Sequence, residues 1–284
     1  MSPTAVRISR AARRAPVHLT LILVTTLWVV PLVGVIVYAF RTPNDAVTSG
    51  WWTIITDPLF TVRNFADAIT TGGIGRALIN SLLITVPTTI LTVLLSAIAA
   101  YALARMRFRG RVVVLVSAVA LLVVPPQLTL VPVLRLFREL GLVGSIPSVW
   151  FYQVGFVIPF GVFLLYGFFR AFPGEILEAA ALDGAGPVRA FFRIVVPTSV
   201  PALAALAIMQ FMWSWNDLLI PLLFLGSASD APVTVTVAGM IQSTGGGLSM
   251  VTAGAILAMI VPVVVTLVLQ RFFIRGILGG AVRG

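Results

Sequence analysis

The chain has 284 residues, of which 59% are hydrophobic and only 10% charged, and its mean hydropathy is +1.08. A soluble domain carries about 45–50% apolar and about 25% charged residues, so an ordinary soluble enzyme, a disordered chain and a coiled coil are excluded. The net charge of +10 comes from 19 arginines against 9 acids, with no lysine, no cysteine and one histidine, which excludes disulfides, thiolate or multi-histidine metal sites, a P-loop lysine and a Schiff-base lysine.

A bilayer-spanning helix needs about 20 apolar residues. Six runs have that length: 17–40, 78–103, 112–133, 146–169, 201–225 and 251–273. Their length and unbroken apolar character predict helices, because barrel strands are only about 9–11 residues long and alternate. The expected fold class is therefore an all-α integral membrane protein with six transmembrane helices.

Residues 1–16 form a tail carrying Arg7, Arg10, Arg13 and Arg14. Such a tail before an apolar run can mimic a signal peptide. This run is too long for an h-region and lacks a small-x-small cleavage site, so an uncleaved first helix is expected. His18, at its start, is badly placed to act as the base of a hydrolytic triad. The first helix and an external loop occupy 17–77; within 41–77, Trp51, Trp52 and the polar stretch 61–67 predict a small cap with interfacial tryptophans. A core of five helices spans 78–273, with a second cap expected in the Gly-, Ser- and Thr-rich segment 226–250. A second tail, 274–284, follows.

The arginines set the orientation. With the N-terminus inside, Arg7, Arg10, Arg13, Arg14, Arg105, Arg107, Arg109, Arg111, Arg170, Arg189, Arg193, Arg271, Arg275 and Arg283 fall on the inner side, and Arg41, Arg63, Arg76, Arg135 and Arg138 on the outer. The positive-inside rule then places both termini in the cytoplasm. The basic charge reads as topology, and no nucleic-acid partner is expected. Each run also carries proline: Pro31, Pro87, Pro125 with Pro126, Pro159, Pro221 and Pro262. These suit either helices that rock or ordinary membrane-helix kinks.

The loop 170–200 differs from everything around it. Three of the nine acids lie here, Glu175, Glu178 and Asp183. Pro173 suits a helix start, with Glu175 and Glu178 at the favourable end of the dipole. Ile176, Leu177, Ala180 and Ala181 give an apolar stripe. The sequence from Asp183 to Pro187 breaks the helix, and a second one is expected from Pro187 to just before Pro197. Two short amphipathic helices can lie at the membrane surface or dock into a partner's groove.

Glu178-Ala179-Ala180, then Gly184, Ile194 and Pro197, resembles the EAA loop of the membrane subunits of bacterial ABC importers, at the family's spacing. The one departure is Val196, where leucine is usual. Asn80-Ser81, the stretch Ala100 to Arg105, Val124 to Gln127, Phe211 to Asp217 and the tail 280–284 are similar to the second permease subunit of the carbohydrate-uptake branch, typified by maltose and oligosaccharide systems. The resemblance covers roughly residues 64–284.

It implies a type I importer permease fold in the bacterial inner membrane. It also implies a sister permease, two ATPase subunits below, an external solute-binding protein above and a sugar substrate. No cofactor or metal would be held by this chain, since ATP and magnesium would be used by the partner ATPase. Glu178, Ala179, Ala180, Asp183 and Gly184 would be the coupling residues. From the residues alone, capping and dipole compensation also account for Glu178 and Asp183, and helix termination for Gly184.

Polar groups inside spans mark cavities or interhelical hydrogen bonds. The path candidates are Asn80, Gln127, Gln210, Trp213, Trp215, Asn216 and Asp217. Trp213 and Asn216 either meet sugar directly or pair with the sister subunit, which would then carry most of the sugar contacts, and Asp217 is expected to act as a structural partner at that interface. Another solute such as a sugar phosphate would favour arginine inside the spans, and none is present there. A secondary transporter would show buried ionisable groups and no EAA loop. A membrane-embedded enzyme would need a cluster of His, Asp, Glu or Lys that is absent.

Overall fold

The computed structural model describes residues 3–58, 60–226, 228–243 and 247–281, with side chains for 16–58, 60–226, 229–241 and 247–269. The side chains of the arginines of both tails, and residues 282–284 of the 280–284 motif, lie outside these ranges.

Every regular element among the described residues is helical, as required where backbone polar groups must be satisfied within their own segment. The helices are α1 (Pro3–Phe40), α2 (Pro43–Thr48), α3 (Arg63–Thr70), α4 (Ile74–Arg105), α5 (Arg111–Leu121), α6 (Pro126–Glu139), α7 (Ile146–Ala171), α8 (Gly174–Leu182), α9 (Pro187–Ala190), α10 (Val196–Thr198), α11 (Val200–Asn216), α12 (Leu219–Phe224), α13 (Val233–Ser243) and α14 (Leu248–Ala281). Single 3-10 turns occupy Trp51–Ile55 and Ala228–Asp230, and a π turn occupies Phe191–Val195.

Four helices are long and apolar enough to cross a bilayer, at Pro16–Phe40, Ile74–Arg105, Ile146–Ala171 and Leu248–Leu269. They coincide with predicted runs one, two, four and six. Runs three and five are not straight helices. The third breaks after α5 and turns by 106° into α6, and the segment Pro187–Thr198 meets α11 at 77°. Counting each bent pair as one span gives up to six. The physical cause of the first break is Pro125-Pro126: neither residue can donate to the preceding turn, and the residue before a proline disfavours the helical region. The predicted fifth helix also stops short, since α11 ends at Asn216, and Asp217 and Leu218 separate it from α12.

Elsewhere proline is carried inside continuous helices. Pro87 leaves the carbonyl of Leu83 without its helical donor, and the Trp150 indole N–H donates to that carbonyl at 3.0 Å. Pro262 likewise frees the carbonyl of Ala258, and Trp215 Nε1 donates to it at 3.2 Å. Two tryptophans thus supply the bonds that two prolines remove.

Two compact units are distinguished, Met1–Gly72 with Gly239–Leu257, and Gly73–Ala238 with Ala258–Gly284. In the first, the 3-10 turn Trp51–Ile55 and α3 pack against α1. Arg41 is 2% exposed, and its guanidinium donates to the Gly50 carbonyl (2.5 Å), Ser49 Oγ (2.6 Å) and Thr53 Oγ1 (2.9 Å). This arginine is a structural clasp within the segment. Asn64 Nδ2 donates to the carbonyls of Ala39 and Arg41 at the end of α1 (2.9 and 2.7 Å). Trp51 packs against Gly34, where any Cβ would come within 3.3 Å of the indole, while Trp52 stays exposed.

In the second unit α4 makes its most extensive pairing with α7 and its next with α11. The approach is close because α4 presents small polar side chains: Ser81, Thr85, Thr88, Thr92 and Ser96 are all buried. A Cβ on Gly161 of α7 would lie 2.2 Å from Ser96 Oγ, so glycine is required at that crossing. One apolar cluster gathers Ala97, Tyr101, Leu165, Phe169, Phe191 and Leu206, and a second gathers Ile84, Leu130, Val149, Tyr152 and Phe224.

Candidate functional site

The first candidate region is the loop after α7. Phe172 and Pro173 are extended, and α8 begins at Gly174 with Glu175 in its first turn. Its end has the geometry of a Schellman motif. The Ala185 N–H donates to the Ala180 carbonyl (2.9 Å) and the Gly184 N–H to that of Ala181 (3.0 Å), while Gly184 adopts φ +77°. Only glycine takes that conformation without strain. Of the predicted coupling residues, Ala180 is buried against the chain, whereas Glu178, Ala179, Asp183 and Gly184 are exposed. Leu182 is 91% exposed and Val188 69%. The loop thus presents apolar and acidic groups that its own chain leaves uncovered.

The second helix does not stop before Pro197 as expected. It runs from α9 through the π turn Phe191–Val195 into α10, ending at Thr198. The π turn makes room for the proline, and the Thr198 hydroxyl donates to the carbonyls of Ile194 (2.6 Å) and Val195 (3.0 Å).

The start of this loop and the start of its second helix are held by the last two turns of α4. Arg105 Nε donates to the carbonyl of Phe169 (2.9 Å), and its Nη2 to those of Arg170 (3.3 Å) and Phe172. A forked cation thus occupies the negative end of α7 just before α8 begins. Tyr101, one turn earlier, donates from its hydroxyl to the Pro187 carbonyl (3.2 Å), and its ring packs against Phe169 and Phe191. Tyr101 and Arg105 stand out in the sequence only as parts of a motif. Their partners lie 64 to 86 residues away, so local pattern carries no sign of this role.

The second region is a cleft of about 600 Å³ between α5–α6, α7 and α11–α12. It brings together Gln127, Gln210, Trp213, Asn216 and Asp217 of the predicted path residues. Trp215 and Asn80 do not line it. Trp215 is 2% exposed, stacks on Phe211 and bonds to α14. Asn80 Nδ2 donates to the carbonyls of Ser229 and Ala231 (2.8 and 3.1 Å), and the neighbouring Ser81 Oγ accepts from the Val233 N–H (2.8 Å). Both residues hold structure in place, because each fills a backbone need outside the cleft.

Tyr152 and Gln153 complete the lining, and both helix breaks are satisfied from this one point on α7. The Tyr152 hydroxyl donates to the Pro126 carbonyl at the first break (3.0 Å) and lies 2.8 Å from the Thr129 hydroxyl. Gln153 Nε2 donates to Asp217 Oδ2 at the second (2.8 Å), while Gln153 Oε1 accepts from Ser214 (2.7 Å). Asp217 Oδ1 accepts the N–H groups of Leu219 and Ile220 (3.0 and 3.2 Å), and its backbone carbonyl accepts from Thr234 (2.8 Å). The Asp217 carboxylate is thus engaged within its own chain. Gln153 is the one amide in the fourth apolar run, so the rule that picked out Gln127 and Gln210 also applies to it.

Asp217→Ala is expected to lower thermal stability markedly, by about 3 kcal/mol, since it strands the Gln153 amide and two N–H groups. Asn216→Ala is expected to leave it within about 0.5 kcal/mol, because among the described residues Asn216 Nδ2 bonds only to the Met212 carbonyl in its own helix. Comparison of melting temperatures for the two purified variants checks this; equal shifts would contradict the assigned roles. Trp213 is 47% exposed, its ring edge set against Phe160 at 5.1 Å. Chemically the cleft offers the rings of Tyr152, Phe156, Phe160 and Trp213, several amides and the Asp217 carboxylate, with no arginine among the described lining residues.

Comparison with known proteins gives a consistent result. The family model described as "binding-protein-dependent transport system inner membrane component" matches residues 79–279. The osmoprotective compounds uptake permease protein GgtD of Synechocystis sp. is 41% identical over 276 residues, covering 95% of this chain and 93% of that one. The alpha-glucoside transport system permease protein AglG of Rhizobium meliloti is 41% identical over 240 residues, covering 82% of this chain and 63% of that one. A chain from the crystal structure of a bacterial ABC transporter importing the acidic polysaccharide alginate superposes with a TM-score of 0.79 at 18% identity, covering 93% of this chain and 98% of that one; at that identity the likeness concerns the fold.

Proposed function

The chain belongs to the family of binding-protein-dependent transport system inner membrane components, and we infer that it is a permease subunit of an ATP-driven ABC importer for a sugar or oligosaccharide. It forms half of a translocation path with a sister permease in the bacterial inner membrane. Two ATPase subunits dock from the cytoplasm, and an external binding protein delivers the solute. The chain itself hydrolyses nothing; ATP and magnesium belong to the ATPase. In this reading the chain crosses the membrane six times, both termini lie on the ATPase side, the tails are 1–16 and 274–284, and the permease core is 78–273.

The observation that carries this reading is the helix–turn–helix at 174–198. It lies inside the family-matched region and exposes Glu178, Ala179, Asp183 and Gly184 with no ion pair among the described residues. Small side chains permit close approach, the acids pair with basic groups of a partner, and Leu182 and Val188 supply apolar area. Closure of the ATPases moves this loop, and Arg105 and Tyr101 pass the motion to α4. Prolines, the two breaks and the π turn supply the places where helices bend.

For the substrate, the name of AglG and the absence of arginine from the cleft both favour a neutral hydroxylated solute over a sugar phosphate. Trp213 offers a face for a sugar ring, and Asn216 and Gln127 offer amides to hydroxyls.

The chain has no cysteine, so Ala179→Cys provides a single thiol for cross-linking. Affinity purification is expected to recover a second permease and an ATPase, with the thiol cross-linking to the ATPase. Recovery of the chain without an ATPase, and no cross-link from position 179, would contradict the reading.

A further inference from the structure

The segment between α4 and α5 carries four arginines in seven residues, Arg105, Arg107, Arg109 and Arg111. Arg105 is engaged at the end of α7, but the others are not paired with acid. The one side-chain ion pair among the described residues is Arg63–Asp67. Arg107 and Arg111 line a groove of about 440 Å³, together with Tyr166 near the end of α7 and Val112, Val113 and Leu115 at the start of α5. Tyr166 lies within electrostatic reach of both Arg111 and Arg170. Val112 and Val113 are 70% and 68% exposed, and no side chain of α5 is buried.

We propose that this groove binds the headgroup of an anionic phospholipid, with the acyl chains running along the valine face of α5. The guanidinium groups meet the phosphodiester in their forked geometry. The Tyr166 hydroxyl stands at the same level, where an aromatic ring with a polar tip suits the boundary between water and hydrocarbon. A soluble phosphate would use the arginines and leave the apolar wall idle, whereas a lipid uses both. The uncompensated charge selects an anionic headgroup over a zwitterionic one.

The test is native mass spectrometry of the full-length chain, purified with whatever partners accompany it, stripped of lipid and titrated with phosphatidylglycerol or phosphatidylcholine. Two arginines near an anionic headgroup correspond to a preference for phosphatidylglycerol of about thirtyfold. Arg107→Gln with Arg111→Gln is expected to abolish the preference, and Arg109→Gln, outside the groove, to keep it. If the double variant is not recovered folded, Arg107→Gln alone carries the test, with a loss of about fivefold. Equal retention of the two lipids, an unchanged preference in Arg107→Gln, or full displacement of phosphatidylglycerol by soluble glycerol phosphate would each overturn the proposal.

Discussion

Replacing Gly184 by valine is expected to abolish ATP-dependent uptake while leaving the chain in the membrane at its normal level. Gly184 sits at φ +77° as the residue that closes α8. A β-branched residue there carries backbone strain of about 1–3 kcal/mol, small beside what holds a multi-span chain in the bilayer. Nothing lies within 4 Å of a Cβ built at this position, so there is no clash inside the chain. The damage falls on the turn, which swings the exposed Asp183 and Leu182 away from the surface they present. Asparagine tolerates the left-handed conformation better, so Gly184→Asn is expected to keep a measurable fraction of uptake. Uptake assays on cells with matched membrane levels check both. Normal uptake by Gly184→Val would mean that this turn is not the coupling element.

Arg105→Ala is expected to uncouple hydrolysis from transport. Three backbone carbonyls at the end of α7 lose a charged donor at once. Hydrogen bonds to charged groups contribute about 1.5–3 kcal/mol each. Allowing for the partial exposure of Arg105, a combined loss of about 3 kcal/mol corresponds to roughly a hundredfold in the coupled state. The ATPase still meets α8, but its movement no longer reaches α4. Hydrolysis in proteoliposomes should therefore persist while solute uptake per ATP falls. Arg105→Lys keeps the cation at the helix end without the fork, and an intermediate ratio is expected. Tyr101→Phe removes one hydrogen bond, to Pro187, worth about 1 kcal/mol. An unchanged uptake-to-hydrolysis ratio in Arg105→Ala would assign α4 no part in transmission.

Hydropathy located the membrane helices because apolar run length is a property of the chain itself. Runs one, two, four and six appear as single helices. Runs three and five do not, and the reason is local chemistry that a hydropathy window averages away. Pro125-Pro126 breaks one, and Asp217 holds open the other by capping the N–H groups of α12. Broken backbone at membrane depth is tolerated where it is buried or lines a cavity, and both breaks line the same cleft. Five of the seven path candidates, picked out because intramembrane polarity is rare, gather at one cleft. Asn80 and Trp215 share that polarity but spend it on backbone carbonyls, a distinction that needs the tertiary partner. The extent of α8 followed from Pro173 and the Asp183–Pro187 breaker. The continuation past Pro197 did not, since a π turn leaves no compositional mark. Arg105 and Tyr101 act through contacts distant in sequence, and no periodicity points to them.

The most direct test of the central claim is sugar uptake into proteoliposomes by the assembled complex, set against the chain alone. With sister permease, ATPase and loaded binding protein present, uptake should require ATP, and the binding protein should stimulate hydrolysis; the chain alone should transport nothing. Sugar accumulation by the chain alone, driven by an ion gradient and indifferent to ATP, would contradict the account.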